Sequence, residues 1–428
     1  MGACDSLNVK MQEEEAMRLF DVIYGSAEGG AVMARERYLH LADLYDRQFP
    51  GKGEVRFFRA PGRTEICGNH TDHQRGRVIA AAISMDAIAA VSGNDEGVIR
   101  VFSEGFAPDE VDIRDLDVRT EEKNTARALV RGVAACFRDA GYALKGLDIY
   151  TTSTVLPGSG LSSSAAFEVL LGQIMNDYFA AGRVSDEEIA RFGQFAENVY
   201  YGKPSGLMDQ MSSSIGGVVA LDFADPERTG IDRLPVDLSS LGYAIVIIDS
   251  GADHQDLTDE YAAIPREMGQ IAAFFGKKYL RHVNASDFYR NIPALRASCG
   301  DRAVLRAMHF FAEEERVEQA VGALRAGDVR AFLRLVNASG DSSWQYLQNV
   351  LAPKHPEHQA VAVTLAIAKK FLGEAGASRV HGGGFAGTIQ AFVPQERVTT
   401  FLEGVESTLG SGRSHVVSIS SVGGTRVF

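Results

Sequence analysis

Three stretches of the sequence gather the side chains that can do chemistry. The first is Leu156-Pro157-Gly158-Ser159-Gly160-Leu161-Ser162-Ser163-Ser164-Ala165-Ala166, a run of small residues. Where such a run opens a helix, the first N–H groups lack intrahelical acceptors and the macrodipole adds positive charge. That combination binds phosphate, and glycine lets the phosphate come close to the backbone. It is not a Walker A loop, because Leu161-Ser162 follows Gly160 in place of Lys and Ser/Thr. Nor is it a dinucleotide fingerprint, because Ser163 stands where the third glycine belongs. The second stretch, Arg63 through Asn69-His70-Thr71-Asp72, crowds donors and acceptors into a few residues. Such a loop can recognise a polar ligand, or it can be a turn with ordinary Asx bonding. The third holds two acids, Glu197 and Asp209, among small and apolar neighbours. Alone each is a surface carboxylate as readily as a functional one. Together, beside a phosphate loop, they point to metal binding or acid–base work.

The elements that must position these groups are legible from periodicity. Leu147–Val155 is rich in β-branched and aromatic residues and predicts a strand into the first stretch. Ala165, Phe167, Val169, Leu170, Ile174 and Tyr178 recur at helical spacing and predict the helix after it. A strand from Phe57 is expected to end in the loop that carries Arg63 and Asn69 to Asp72. Ser185-Asp186-Glu187-Glu188 is a capping box before a helix that ends near Glu197. Residues 1–53 are expected to be helical, a cap or an interaction surface without chemistry of its own. Helices are expected over about 259–275, 302–324, 328–350 and 356–375. Arg379 to Gly387, with three successive glycines, predicts a turn that approaches a ligand or another backbone.

Composition narrows the class. The chain has 428 residues, 45% of them hydrophobic, enough for a large core divided between two domains. Its net charge of −13 argues against nucleic acid or an anionic membrane as partner. Four scattered cysteines with no CxxC pair fit reduced thiols in a cytoplasm. No segment reads as a signal peptide or a membrane span.

Taken together, the motifs resemble the galactokinases of the GHMP small-molecule kinase superfamily. Arg59-Ala60-Pro61-Gly62-Arg63 through Asn69-His70-Thr71-Asp72 is similar to the galactokinase sugar signature, Pro157 to Ala165 to the superfamily's ATP loop, and Gly206-Leu207-Met208-Asp209-Gln210 to the segment with the catalytic aspartate. Arg379 to Gly387 is similar to the third glycine motif, and His254 and Tyr261 have the family's spacing. The resemblance implies an α+β, two-lobed GHMP kinase fold. A ribosomal-protein-S5-type domain 2-like lobe would cover residues 54–225 after the helical extension 1–53, and a ferredoxin-like lobe residues 226–428. It implies phosphorylation of a sugar's anomeric hydroxyl by ATP with Mg²⁺. Asp209 would be the base or orienting charge, with Arg63 beside it. Asn69, His70, Asp72, Gly206 and Tyr261 would contact the sugar. Pro157, Gly158, Ser159, Gly160, Leu161, Ser162, Ser163, Ser164 and Ala165 would wrap the ATP phosphates. Ser163 or Ser164, with Glu197, would hold the metal.

Several positions depart from the family pattern: Asn69 where Glu is usual, His73 where Tyr is common, Ser205 where Cys is common, and Gly340 where a histidine is usual. Asn69 is therefore the expected discriminator between galactose and a related sugar such as a uronic acid, a pentose or an N-acetyl hexosamine. A non-catalytic sugar sensor is the reading of another class. It predicts damage to the loop or to Asp209, and both are intact. A monomer and a dimer are equally compatible with the sequence.

Overall fold

The structure is a computed structural model that describes residues 2–24, 30–155, 160–236, 238–252 and 257–428. Two sheets organise it. The larger has eight strands: β1 (Arg56–Cys67), β2 (Arg77–Asn94), β3 (Val98–Ser103), β4 (Asp109–Asp112), β5 (Gly146–Ser153), β6 (Val218–Asp222), β7 (Gly230–Leu234) and, from the far end of the chain, β12 (Thr425–Arg426). Their order is β12-β1-β2-β5-β3-β4, with β6 and then β7 joined to the first half of β2. Only β3 and β5 run parallel. The smaller sheet has β8 (Tyr243–Asp249), β9 (Ala377–Val380), β10 (Thr388–Pro394) and β11 (Ser414–Val417) in the order β11-β8-β10-β9, all antiparallel. Helices join β8 to β9 and β10 to β11, which makes this lobe a β-α-β-β-α-β unit of the ferredoxin-like kind.

Strand residues alternate between two buried faces, as a period of two requires. On β2, Ala87, Ala89 and Val91 pack with the helices Ala126–Asp139 and Ser163–Ala180, while Ile88 and Ala90 pack under the N-terminal helices. The helices Ala3–Lys10, Glu14–Tyr24 and Gly30–Gln48 cover one face of the first sheet. A third core joins the lobes. Ile66, Ile79 and Ala81 of the first sheet meet Ile245, Ile247 and Phe392 of the second, together with Leu161 and Ala166 from the phosphate loop and its helix.

The expected division at 225/226 does not follow these sheets. β7 pairs with β6 and β12 pairs with β1, so the first sheet draws strands from beyond that point. The strand beginning near Phe57 also runs further than expected. It continues through Pro61-Gly62-Arg63 to Cys67, with irregularities of register between Pro61 and Arg63 and between Glu65 and Cys67. Bulges of this kind re-aim side chains within a strand. The helices expected near 259–275, 302–324, 328–350 and 356–375 are Thr258–Phe274, Asp301–Arg325, Val329–Ser342 and Ala360–Leu372. The third ends earlier because a π-turn, Ser343–Leu347, closes at Gln348 in the left-handed region. All four cysteines are free thiols. Among the described residues no helix is long and apolar enough to cross a membrane.

Candidate active site

The helix Ser163–Ala180 begins at Ser162, whose backbone is left-handed (φ 61°). An ordinary N-cap serine bonds back to the helix amides. This one does not, and its hydroxyl instead donates to Asp209 Oδ2 at 2.5 Å. The first turn is thus left without a side-chain cap, the arrangement that an anion completes. Leu161 and Ala165 are fully buried, so they offer backbone and not side chain to a ligand. The expected contacts at Pro157, Gly158 and Ser159, like the family spacing at His254, lie outside the described residues.

Asp209 stands in the first turn of the helix Met208–Ile215, where the dipole favours a negative charge. Arg63, aimed by the bulge in β1, grips it in bidentate fashion: Nε to Oδ1 and Nη2 to Oδ2, both 2.6 Å. Burial alone would raise the Asp209 carboxyl. The Arg63 charge and the hydrogen bonds from Arg63 and Ser162 outweigh it and hold the group down at about 2. Arg63 also donates through Nη1 to the carbonyl of Gly160, so the same guanidinium fixes the phosphate loop. Asp209 keeps 29% of its side chain exposed, which leaves it reachable by a substrate hydroxyl.

Glu197 lies on a π-turn, Ala196–Tyr201. π-bulges inside helices are frequent at functional sites. Its Oε1 accepts from Ser164 Oγ at 3.2 Å and from Lys203 Nζ at 3.1 Å, and its Oε2 accepts from Gln210 Nε2 at 3.0 Å. Gln210 Nε2 also donates to Glu168 Oε2 at 2.9 Å. Burial, and then the Glu197 charge, push the Glu168 carboxyl well up. Ser164, not Ser163, is the loop serine brought to Glu197. A hydroxyl and a carboxylate are hard oxygen donors of the kind that a magnesium ion would accept as ligands. Sequence reasoning passed over Glu168, Lys203 and Gln210. The first had a signal: it lies four residues after Ser164 and so on the same face of one helix.

His70 and Tyr261 meet at the third glycine turn, and Asp72 lies against Gly206. A Cβ on Gly206 would fall 1.6 Å from Asp72 Oδ2, so only glycine admits that carboxylate. Tyr261 donates its hydroxyl to the Gly384 carbonyl at 2.8 Å, and its ring lies where a Cβ on Gly383 would be, 2.5 Å from Cε1. His70, left-handed at φ 59°, places Nε2 3.0 Å from the Gly383 carbonyl. A carbonyl only accepts, so Nε2 carries the proton. Burial pushes this imidazole down to about 4, so it is neutral and Nδ1 is an acceptor. Nδ1 is buried with no partner among the described residues.

Residues 128–217 match the GHMP kinases N terminal domain, and residues 43–93 match the galactokinase galactose-binding signature. A galactokinase of Streptomyces coelicolor is 34% identical over 389 residues, 90% of this chain and 94% of that one. The chain belongs to the galactokinase family. Among solved structures, Lactococcus lactis galactokinase complexed with galactose superposes with a TM-score of 0.77 at 26% identity, covering 90% of this chain and 99% of that one. Methanococcus jannaschii mevalonate kinase shares the fold at a TM-score of 0.61 and 14% identity, covering 86% of this chain and 99% of that one.

Against this galactokinase framework, the expected role of Asn69 needs correction. Its side chain is fully buried, and its hydrogen-bonding capacity is taken up by the protein. Nδ2 donates to Glu65 Oε1 and Oε2 at 2.9 and 3.1 Å and to the Gly382 carbonyl at 2.8 Å. Oδ1 accepts from Ser343 Oγ at 3.2 Å and from Asn349 Nδ2 at 2.8 Å. Even its backbone carbonyl is used, by His309 Nε2 at 2.8 Å. Glu65 in turn is held by Arg379 Nη2 at 2.6 Å. A side chain so enclosed offers no free surface and no spare hydrogen-bonding group to a ligand in this structure. Asn69 is the node that ties β1 to the third glycine turn and to the segment after Ser342, and it sets where His70 points.

Proposed function

We propose that this chain transfers the γ-phosphate of ATP to the anomeric hydroxyl of galactose, with Mg²⁺ held by Ser164 and Glu197. The observation that carries the reading is Asp209. It is ionised by Arg63 and Ser162, reachable, and set between the phosphate loop and the glycine turn on which His70 and Tyr261 converge. The helix amides after Ser162 receive the phosphates. The metal, when bound, draws charge from the phosphate oxygens. Asp209 accepts a hydrogen bond from the sugar's O1–H and aims that oxygen at the γ-phosphorus. The O1–P bond forms as the bond from phosphorus to the β,γ-bridging oxygen breaks. The hydroxyl proton passes to Asp209, and ADP leaves with the bridging oxygen. A carboxylate held near 2 is a weak base, so the proton moves late. A loose transition state needs no more than that, since positioning and opposing charge do most of the catalysis. His70 Nδ1 accepts from a sugar hydroxyl, and the Asp72 carboxylate accepts from others. The four free thiols support a reducing, cytoplasmic setting.

A panel of galactose, glucose, galacturonate, arabinose and N-acetylgalactosamine with ATP and Mg²⁺ tests this. Galactose should lead in kcat/KM by at least about tenfold, equivalent to ~1.4 kcal/mol of transition-state binding. The product should be the 1-phosphate by ³¹P–¹H NMR. Another sugar in the lead refutes the substrate, and phosphate on another oxygen refutes the site geometry.

A further inference from the structure

Positive charge stabilises a transferring phosphoryl group, and Arg63 is not free to swing toward one. Its Nε and Nη2 are spent on Asp209 and its Nη1 on Gly160. Lys203 is placed differently. The π-turn that carries Glu197 closes at Gly202, with a left-handed backbone (φ 89°), and the amides of Gly202 and Lys203 both bond to the carbonyl of Glu197 at 3.0 and 3.1 Å. This double bond to one carbonyl fixes the root of the Lys203 side chain against the residue it serves. The stem and ammonium, by contrast, are 59% exposed, while the Glu197 side chain is almost wholly buried. Nζ rests on Glu197 Oε1, the same oxygen that faces Ser164 Oγ. The ammonium also lies within the electrostatic reach of Asp209 and helps to keep that carboxyl ionised.

We infer that Lys203 is a mobile catalytic cation that balances the charge of Glu197 until the nucleotide enters, and then carries its ammonium to the β- and γ-phosphate oxygens. This rests on the proposed reading of Ser164 and Glu197 as the metal's ligands. A divalent ion on Glu197 Oε1 and an ammonium on that oxygen repel one another, so one must move, and the flexible stem moves at little cost. The phosphate oxygens beside Ser164 are the nearest new anionic partner. There the ammonium offsets the charge that spreads over the transferring group, a role that depends on the positive charge more than on the geometry of its donors.

The test uses the full-length K203M, K203R and E197Q proteins, with Mn²⁺ binding measured by electron paramagnetic resonance without nucleotide, and steady-state kinetics with MgATP and galactose. K203M removes a competitor for Glu197, so it should bind Mn²⁺ at least about threefold tighter than wild type. The same variant should lose about 30-fold or more in kcat, with the KM for galactose within about twofold. K203R, which keeps the charge, should recover most of that kcat. A merely structural lysine would not move the two readouts in opposite directions. Mn²⁺ affinity that does not tighten in K203M, or kcat that stays within about threefold of wild type, overturns the inference. E197Q separates the two levels of the argument: it should lose Mn²⁺ binding. If it does, and K203M has no effect, only the role of Lys203 fails. If E197Q binds Mn²⁺ like wild type, the metal reading fails and takes this inference with it.

Discussion

Asn69→Asp is the sharpest probe of the buried node, because it changes one NH₂ to an oxygen and almost nothing in shape. In the native protein that NH₂ donates to both Glu65 carboxylate oxygens and to the Gly382 carbonyl, at 2.8–3.1 Å, with no solvent access. The substitution turns each contact into acceptor against acceptor. Loss of a hydrogen bond to a charged group costs about 1.5–3 kcal/mol, and an orphaned buried carbonyl about 1–3 kcal/mol. The expected destabilisation at pH 8 is therefore about 3–5 kcal/mol, a large share of a typical folding free energy. It should also depend on pH. The introduced carboxyl sits in a dry site beside Glu65, so its pKa is raised on folding. A group raised on folding stabilises the native state at low pH and loses that contribution as pH rises. The difference between variant and wild type should thus shrink from pH 8 to pH 5, where one proton can bridge the two carboxyls. Urea unfolding followed by circular dichroism and by emission of Trp344, the single tryptophan, reads this directly, because Trp344 follows Ser343 in the same node. The rank order of sugars should stay as in wild type. A variant as stable as wild type, or one whose sugar preference shifts without loss of stability, refutes the burial of this amide.

Two further outcomes follow from the geometry. Asp209→Asn should cut kcat by about three orders of magnitude and leave the KM for ATP within about threefold, since the role proposed for the group is at the reacting hydroxyl. Because Asp209 is held at about 2, the loss should be the same at pH 6 and pH 8, and a loss confined to one end of that range would contradict the assignment. Gly206→Ala would press a methyl onto the Asp72 carboxylate and should raise the KM for galactose about tenfold or more, with the KM for ATP unchanged; normal galactose binding would mean that Asp72 does not face the sugar.

What the sequence disclosed, it disclosed where chemistry and spacing are local. The small-residue run, Asp209 and Glu197 lie within some fifty residues of each other, and their residue types are the ones that phosphate binding and metal or acid–base work call for. What it hid depended on partners far along the chain. The solvent exclusion of Asn69 is set by Ser343, Asn349 and Gly382, which packing alone brings to it. Arg63 was expected on a loop, and it sits instead on a strand whose bulge takes the place of a turn. Lys203 carried no signal of its own in the sequence, because a lone lysine is most often a solvated surface residue. Only the left-handed closure at Gly202 returns it to the acid six residues before it.

The edge of β1 has a consequence for how the protein is made. Residues 425–426 pair with Arg59 and Phe58, and Phe428 stacks on Phe20 beneath the N-terminal helices. Every other strand of that sheet has been synthesised by residue 234. From there until residue 425 leaves the ribosome, roughly 10–40 s at ordinary elongation rates, the strand that carries Arg63 has an open edge and its aromatic cover lacks a ring. Arg63, which grips Asp209, is therefore held on a strand that the nascent chain can complete only in a late step of synthesis. A ribosome stalled within the second lobe would display a nearly finished first sheet with one edge free to pair with a neighbour.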